Sequence, residues 1–183
     1  MSSSLIKALI NSTETEVEAV QPLTITCTAS TSSSKNYVTL KISQTGSTDV
    51  TGLQYRKGTS GAWETLPIKT NLKIPVGESW QFQNTNDILN ISGSNYVYFY
   101  LDNSSASVKL TGNVNSLINY KDLSEHCFHN LFYQSSSTSP KIDASELILP
   151  ATTLADSCYY GMFKNCRNLI SAPKLPATTL ADS

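Results

Sequence analysis

Apolar and polar residues alternate over residues 23–29, where Leu23, Ile25, Cys27 and Ala29 are separated by Thr24, Thr26 and Thr28. A period of two sends the two sets to opposite faces, so the run predicts a half-buried strand. Val38, Leu40 and Ile42 predict a second strand, and residues 53–56 a third. The pairs Leu72/Ile74, Trp80/Phe82 and Val108/Leu110 predict three more. Gly58, Gly61 and the run Pro75-Val76-Gly77-Glu78 supply turns between them. Residues 96–101 are apolar on both faces, the pattern of a central strand. About seven short strands separated by turns predict a mainly β, sandwich-like domain over residues 21–119, with an immunoglobulin-like arrangement as the specific option. The Cys–Trp–Cys signature of antibody domains is missing, because Cys27 is the only Cys in that region.

The period changes after residue 120. Leu154, Cys158, Tyr159, Met162, Phe163 and Cys166 fall at i, i+4, i+5, i+8, i+9 and i+12, which predicts an α-helix of about three turns. Thr153 and Asp156 form its start signal, and Asn165 a left-handed C-cap preceded by Lys164. Residues 169–175 read as extended, with Pro173 and Pro176 forbidding further helix. The nine residues LPATTLADS at 149–157 recur unchanged at 175–183, an offset of 26 that suits one unit of a repeat array. The expectation is a chain that stops inside a repeat. A degenerate earlier copy lies 31 residues upstream, where Leu123, Cys127, Phe128, Leu131 and Phe132 match Leu154, Cys158, Tyr159, Met162 and Phe163. Asp122 and Glu125 give it a similar start signal, and a serine-rich loop at 134–139 holds its extra length. Each unit is expected to be a short strand plus a helix that needs a stacked neighbour to cover its apolar face. The resulting organisation is an arm over 1–20, the sandwich-like domain over 21–119, a degenerate capping repeat over 120–150 and a truncated repeat over 151–183.

The run LPATTLADSCYYGMFKNCRNLISAPKLPATTLADS resembles the BspA-type leucine-rich repeats of gut bacterial surface proteins and their phages. LPATTLA, Cys158-Tyr159, Met162-Phe163, Cys166 and Leu169 followed by Ala172-Pro173 carry the resemblance, strongly over 147–183 and weakly over 120–146. The general L-x-x-L-x-L-x-x-N/C-x-L pattern is not met, so a regular horseshoe is not expected. The resemblance implies the start of an α/β leucine-rich-repeat solenoid and a role in adhesion or surface recognition.

Charge fits an exposed protein with few electrostatic demands. Thirteen basic and 14 acidic residues leave a net charge of −1, without the basic footprint of a nucleic-acid binder. No apolar run approaches the roughly 20 residues that cross a bilayer. In the arm, residues 3–11 read as a short amphipathic helix or a frayed tail. Lys7 and then Glu14, Glu16 and Glu18 leave no recognisable secretory signal. The expectation is therefore a virion surface protein, such as a phage-encoded fibre, ahead of a bacterial cell-surface adhesin. Its partner would be a host-cell surface protein or glycan, with assembly as a homo-oligomer or virion component. The apolar edge near residues 169–175 is expected to favour self-association.

Candidate chemistry is sparse. His126 and His129 flank Cys127, and His and Cys are zinc ligands, yet the matching positions in the next unit are Ser157 and Tyr160. No nucleophile motif and no glycine-rich phosphate loop is present. The expectation is no catalysis, no cofactor and no metal. Stacked helices about 8–10 Å apart would hold Cys127 and Cys158 beyond the roughly 7 Å limit for a disulfide, which predicts free thiols. Tyr96, Tyr98 and Tyr100 share one strand face and are the candidate ligand contacts, able to stack on sugar rings as a carbohydrate-binding module would; the alternative is ordinary packing. Sequons at Asn11, Asn90 and Asn103 are read as incidental in a chain rich in Asn and Ser.

Overall fold

A computed structural model describes residues 21–46, 50–90, 92–134 and 138–179. The N-terminal arm, the sequon at Asn11 and the last residues of the second LPATTLADS copy lie outside the described residues. The elements are β1 (Leu23–Ser30), β2 (Tyr37–Gln44), β3 (Leu53–Lys57), β4 (Glu64–Thr65), β5 (Asn71–Pro75), β6 (Ser79–Asn84), β7 (Val97–Asp102) and β8 (Ala106–Asn113). A 3-10 turn (Val114–Ile118), β9 (Lys141–Ile148) and β10 (Leu169–Ser171) complete them. The strands form two sheets in the orders β10-β9-β8-β1-β6-β3-β4 and β5-β2-β7.

The mainly β, sandwich-like expectation matches this architecture. Leu23, Ile25 and Cys27 of β1 and Val38, Leu40 and Ile42 of β2 are fully buried, so alternation fixes which face of each strand enters the core. Ala29 leaves that pattern because the β1–β8 register shifts between Cys27 and Ala29. Phe82 and Phe99 meet edge-to-face at 5.5 Å and join the two sheets. The strand order is not the ABED/CFG order of immunoglobulin domains, since β1 lies between β6 and β8. The region holds one strand more than the pattern predicts; the two-residue β4 is too short to show a period.

Nor is β7 central in its sheet. It ends the smaller sheet, and its free side is covered by a later part of the chain: Phe99 N–H donates to the Leu131 carbonyl at 2.6 Å. The double apolarity of the strand reflects that cover together with its inward face of Val97, Phe99 and Leu101.

The two expected helices are absent. In the first unit, the N–H groups of Cys127, His129, Leu131 and Tyr133 each bond back three residues, to Ser124, His126, Phe128 and Asn130. The second unit repeats this, from Cys158, Tyr160, Met162 and Lys164 to Ala155, Ser157, Tyr159 and Gly161. The intervening N–H groups of the first unit point sideways. Those of His126, Phe128, Asn130, Phe132 and Gln134 donate to the carbonyls of Asp156, Cys158, Tyr160, Met162 and Lys164 at 2.8–3.0 Å. The physical reason is the period. Apolar residues every four positions drift about 40° per step around an α-helix, whereas a chain of four-residue turns keeps them aligned. His126 and Asn130, like Ser157, Gly161 and Asn165, take left-handed φ between 51° and 62°, which interrupts any α-helix every fourth residue.

After its turns the first unit supplies β9, parallel to β8, and the second supplies β10, parallel to β9. Each unit thus adds a strand to the larger sheet, while the turn segment of the first lies beside β7 and that of the second lies beside the first. Buried residues form one cluster from Leu23 to Met162. Among the described residues no helix is long and apolar enough to cross a membrane.

Candidate functional site

The constant register between the units sets like side chains over one another. Phe128 stacks on Tyr159 at 5.8 Å and 6°, and Phe132 on Phe163 at 5.4 Å and 17°. His129 stacks on Tyr160 at 5.0 Å and 24°. Phe128 and Phe132 face the core, whereas Tyr160 is 59% exposed and covers His129, which is itself buried at 9%.

Beside them stand the outward residues of the β7 segment. The Tyr96 ring lies 5.0 Å from His129 and 6.0 Å from Tyr98, and Tyr98 meets Tyr133 edge-on at 6.2 Å. The result is a continuous row, Tyr133–Tyr98–Tyr96–His129–Tyr160, that crosses from the sandwich to both units. Of the three candidate tyrosines, Tyr96 and Tyr98 are half-buried members of this row. Tyr100 is covered: it is 7% exposed, its hydroxyl bonds with Thr138 at 3.2 Å, and Lys41 lies over its ring.

Asn90 holds the row together from behind. Its Oδ1 accepts from Val97 N–H at 2.8 Å, while its Nδ2 donates to the carbonyls of His126 and His129. This side chain is 2% exposed and fully engaged; Asn103, 9% exposed, donates to the carbonyls of Lys35 and Tyr37. The sequons at these two positions therefore serve the fold. Gly93 packs on the histidines: a Cβ there would come within 3.3 Å of His126 Cε1.

His126 and His129 meet edge-on at 5.5 Å, and the Nδ1 atoms of both are buried without a hydrogen-bond partner. Burial, then the neighbouring His126 and Lys164, holds His129 below the ordinary imidazole value of 6.5. His129 is therefore neutral at physiological pH, its ring packed against Tyr96 and Tyr160. Among the described residues no three His, Cys, Asp or Glu side chains come together as metal ligands. The arrangement supplies flat aromatic faces with polar tips, suited to stacking on a ligand and fixing its orientation.

A separate cleft of about 590 Å³ lies between the 3-10 turn and the LPATTLA segment, lined by Asn115, Asp122, Thr152 and Thr153 among others; it contains no aromatic ring. His129, Tyr133 and Tyr160 show no shared face in the local sequence pattern. The signal that joins two of them is the 31-residue displacement, which aligns His129 with Tyr160 as it aligns the core residues. No family model, no curated protein and no solved structure matches this chain.

Proposed function

We propose that this chain is a non-enzymatic surface-recognition protein in which a β-sandwich is prolonged by stacked repeats of BspA type, the beginning of a solenoid. The observation that carries the reading is the unbroken row of rings from Tyr133 to Tyr160, built jointly by the sandwich and both units. A surface to which the sandwich and both stacked units contribute rings suits an extended ligand. The C–H faces of pyranose rings pack well on such rings, so we take a cell-surface glycan as the ligand class. Residue-level resemblance to arrays of gut bacteria and their phages supports a phage-encoded fibre or virion surface protein first, and a bacterial adhesin second. The domain division at residues 120 and 151 follows from the same reading, with the sandwich as anchor and the repeats as display.

The test is a panel of immobilised bacterial and host glycans probed with the full chain and with the double variant Tyr98→Ala, Tyr160→Ala. The wild-type chain is expected to bind at least one glycan, and the variant to bind it at least about tenfold more weakly, a loss of about 1.4 kcal/mol. Equal binding by a folded variant, or no binding by the wild-type chain, rejects the reading.

A further inference from the structure

Stacked turns bring Cys127 and Cys158 far closer than stacked helices would. Phe128 N–H donates to the Cys158 carbonyl at 2.8 Å, so the two backbones pair as neighbouring strands do. That pairing sets chains about 4.7–4.9 Å apart, inside the Cα separations of about 4.4–6.8 Å that disulfides accept. The two thiols lie close enough for a hydrogen bond between them to shift both, raising that of Cys127 and lowering that of Cys158. Both are free thiols in this structure, 0% and 2% exposed. Cys27 and Cys166 are placed otherwise, their thiols donating to the carbonyls of Ala29 and Phe132.

We propose that Cys127 and Cys158 are a peroxide-oxidisable pair whose disulfide locks the first repeat unit to the second. The bond donated by Cys127 holds the Cys158 thiol below its ordinary 9.0, which favours the thiolate needed for attack. The Cys158 thiolate attacks one oxygen of hydrogen peroxide; the O–O bond breaks, a sulfenic acid forms and hydroxide leaves. Cys127 then gives up its proton as its sulfur attacks that of Cys158, and the S–O bond breaks with loss of water. The proton first released by Cys158 neutralises the hydroxide. In sum, two thiols and one peroxide become one disulfide and two waters. Burial favours this small oxidant over bulky disulfide reagents, because a peroxide needs only a local opening of the stack.

The experiment treats the folded full chain with hydrogen peroxide, unfolds it in an alkylating agent and maps the peptides by mass. The expected result is a fall from four free thiols to two, with a reducible cross-link between the peptides holding Cys127 and Cys158. Closing this loop should raise Tm by about 5–10 °C, reversed by reductant. Four remaining thiols, a link between any other pair, or unlinked sulfinic acids at Cys127 and Cys158 would overturn the proposal.

Discussion

Gly161 has φ +62° and lies so close to Asn130 that a Cβ on it would stand 2.2 Å from the Asn130 Oδ1. Both residues occupy the same step of the turn segment, in adjacent units, and both are left-handed. Gly161→Ala therefore combines backbone strain with a clash at the stacking contact. The expected cost is about 1–3 kcal/mol, read as a lower urea midpoint with an unchanged slope. His129 makes a second prediction. Its folded pKa lies below 6.5, so at low pH the unfolded chain takes up a proton that the folded chain refuses. Above about pH 6.5 both states are neutral and the group contributes nothing; below it, stability falls as pH drops toward the folded value. Denaturation at pH 8 and pH 5.5 should show that loss, and His129→Gln should reduce it.

At the scale of elements, what could be read from the chain depended on whether a segment kept a single period. β1 and β2 were legible because Leu23, Ile25, Cys27 and Val38, Leu40, Ile42 alternate against a fully apolar interior. β9 was not, because its buried residues Ile142, Ala144 and Leu147 change spacing where its register against β8 shifts. The turn segments were legible as repeating units but misread in form. Leu154, Cys158, Met162 and Cys166 recur every four residues, near enough to 3.6 to suggest a helix. The distinguishing signal is Ser157, Gly161 and Asn165 at the same interval, all left-handed, of which Asn165 alone carries a C-cap pattern in the sequence. The same error of form placed Cys127 and Cys158 too far apart. Of the five rings in the outer row, Tyr96 and Tyr98 share a strand face that the sequence shows; the contact of His129 with Tyr160 depends on stacking, which brings residues 31 apart together and shows no local pattern.

Across the whole molecule, one row of rings ties sandwich to repeats: Phe82 touches Phe99, Phe99 touches Phe132 at 6.4 Å, and Phe132 stacks on Phe163. The core therefore continues from the sheets into the second unit, and the outer aromatic row follows it. Both rest on one claim, that the units are in-register turn segments bonded edge to edge. That claim makes opposite statements about matching amides. Phe128, Asn130 and Phe132 donate across the interface, whereas among the described residues Tyr159, Gly161 and Phe163 donate to no backbone carbonyl. Residue-resolved hydrogen exchange reads this directly. The account predicts slow exchange at Phe128, Asn130 and Phe132 and fast exchange at Tyr159, Gly161 and Phe163. Uniform protection from 157 to 165, as a helix would give, or fast exchange at the three first-unit amides, would contradict it.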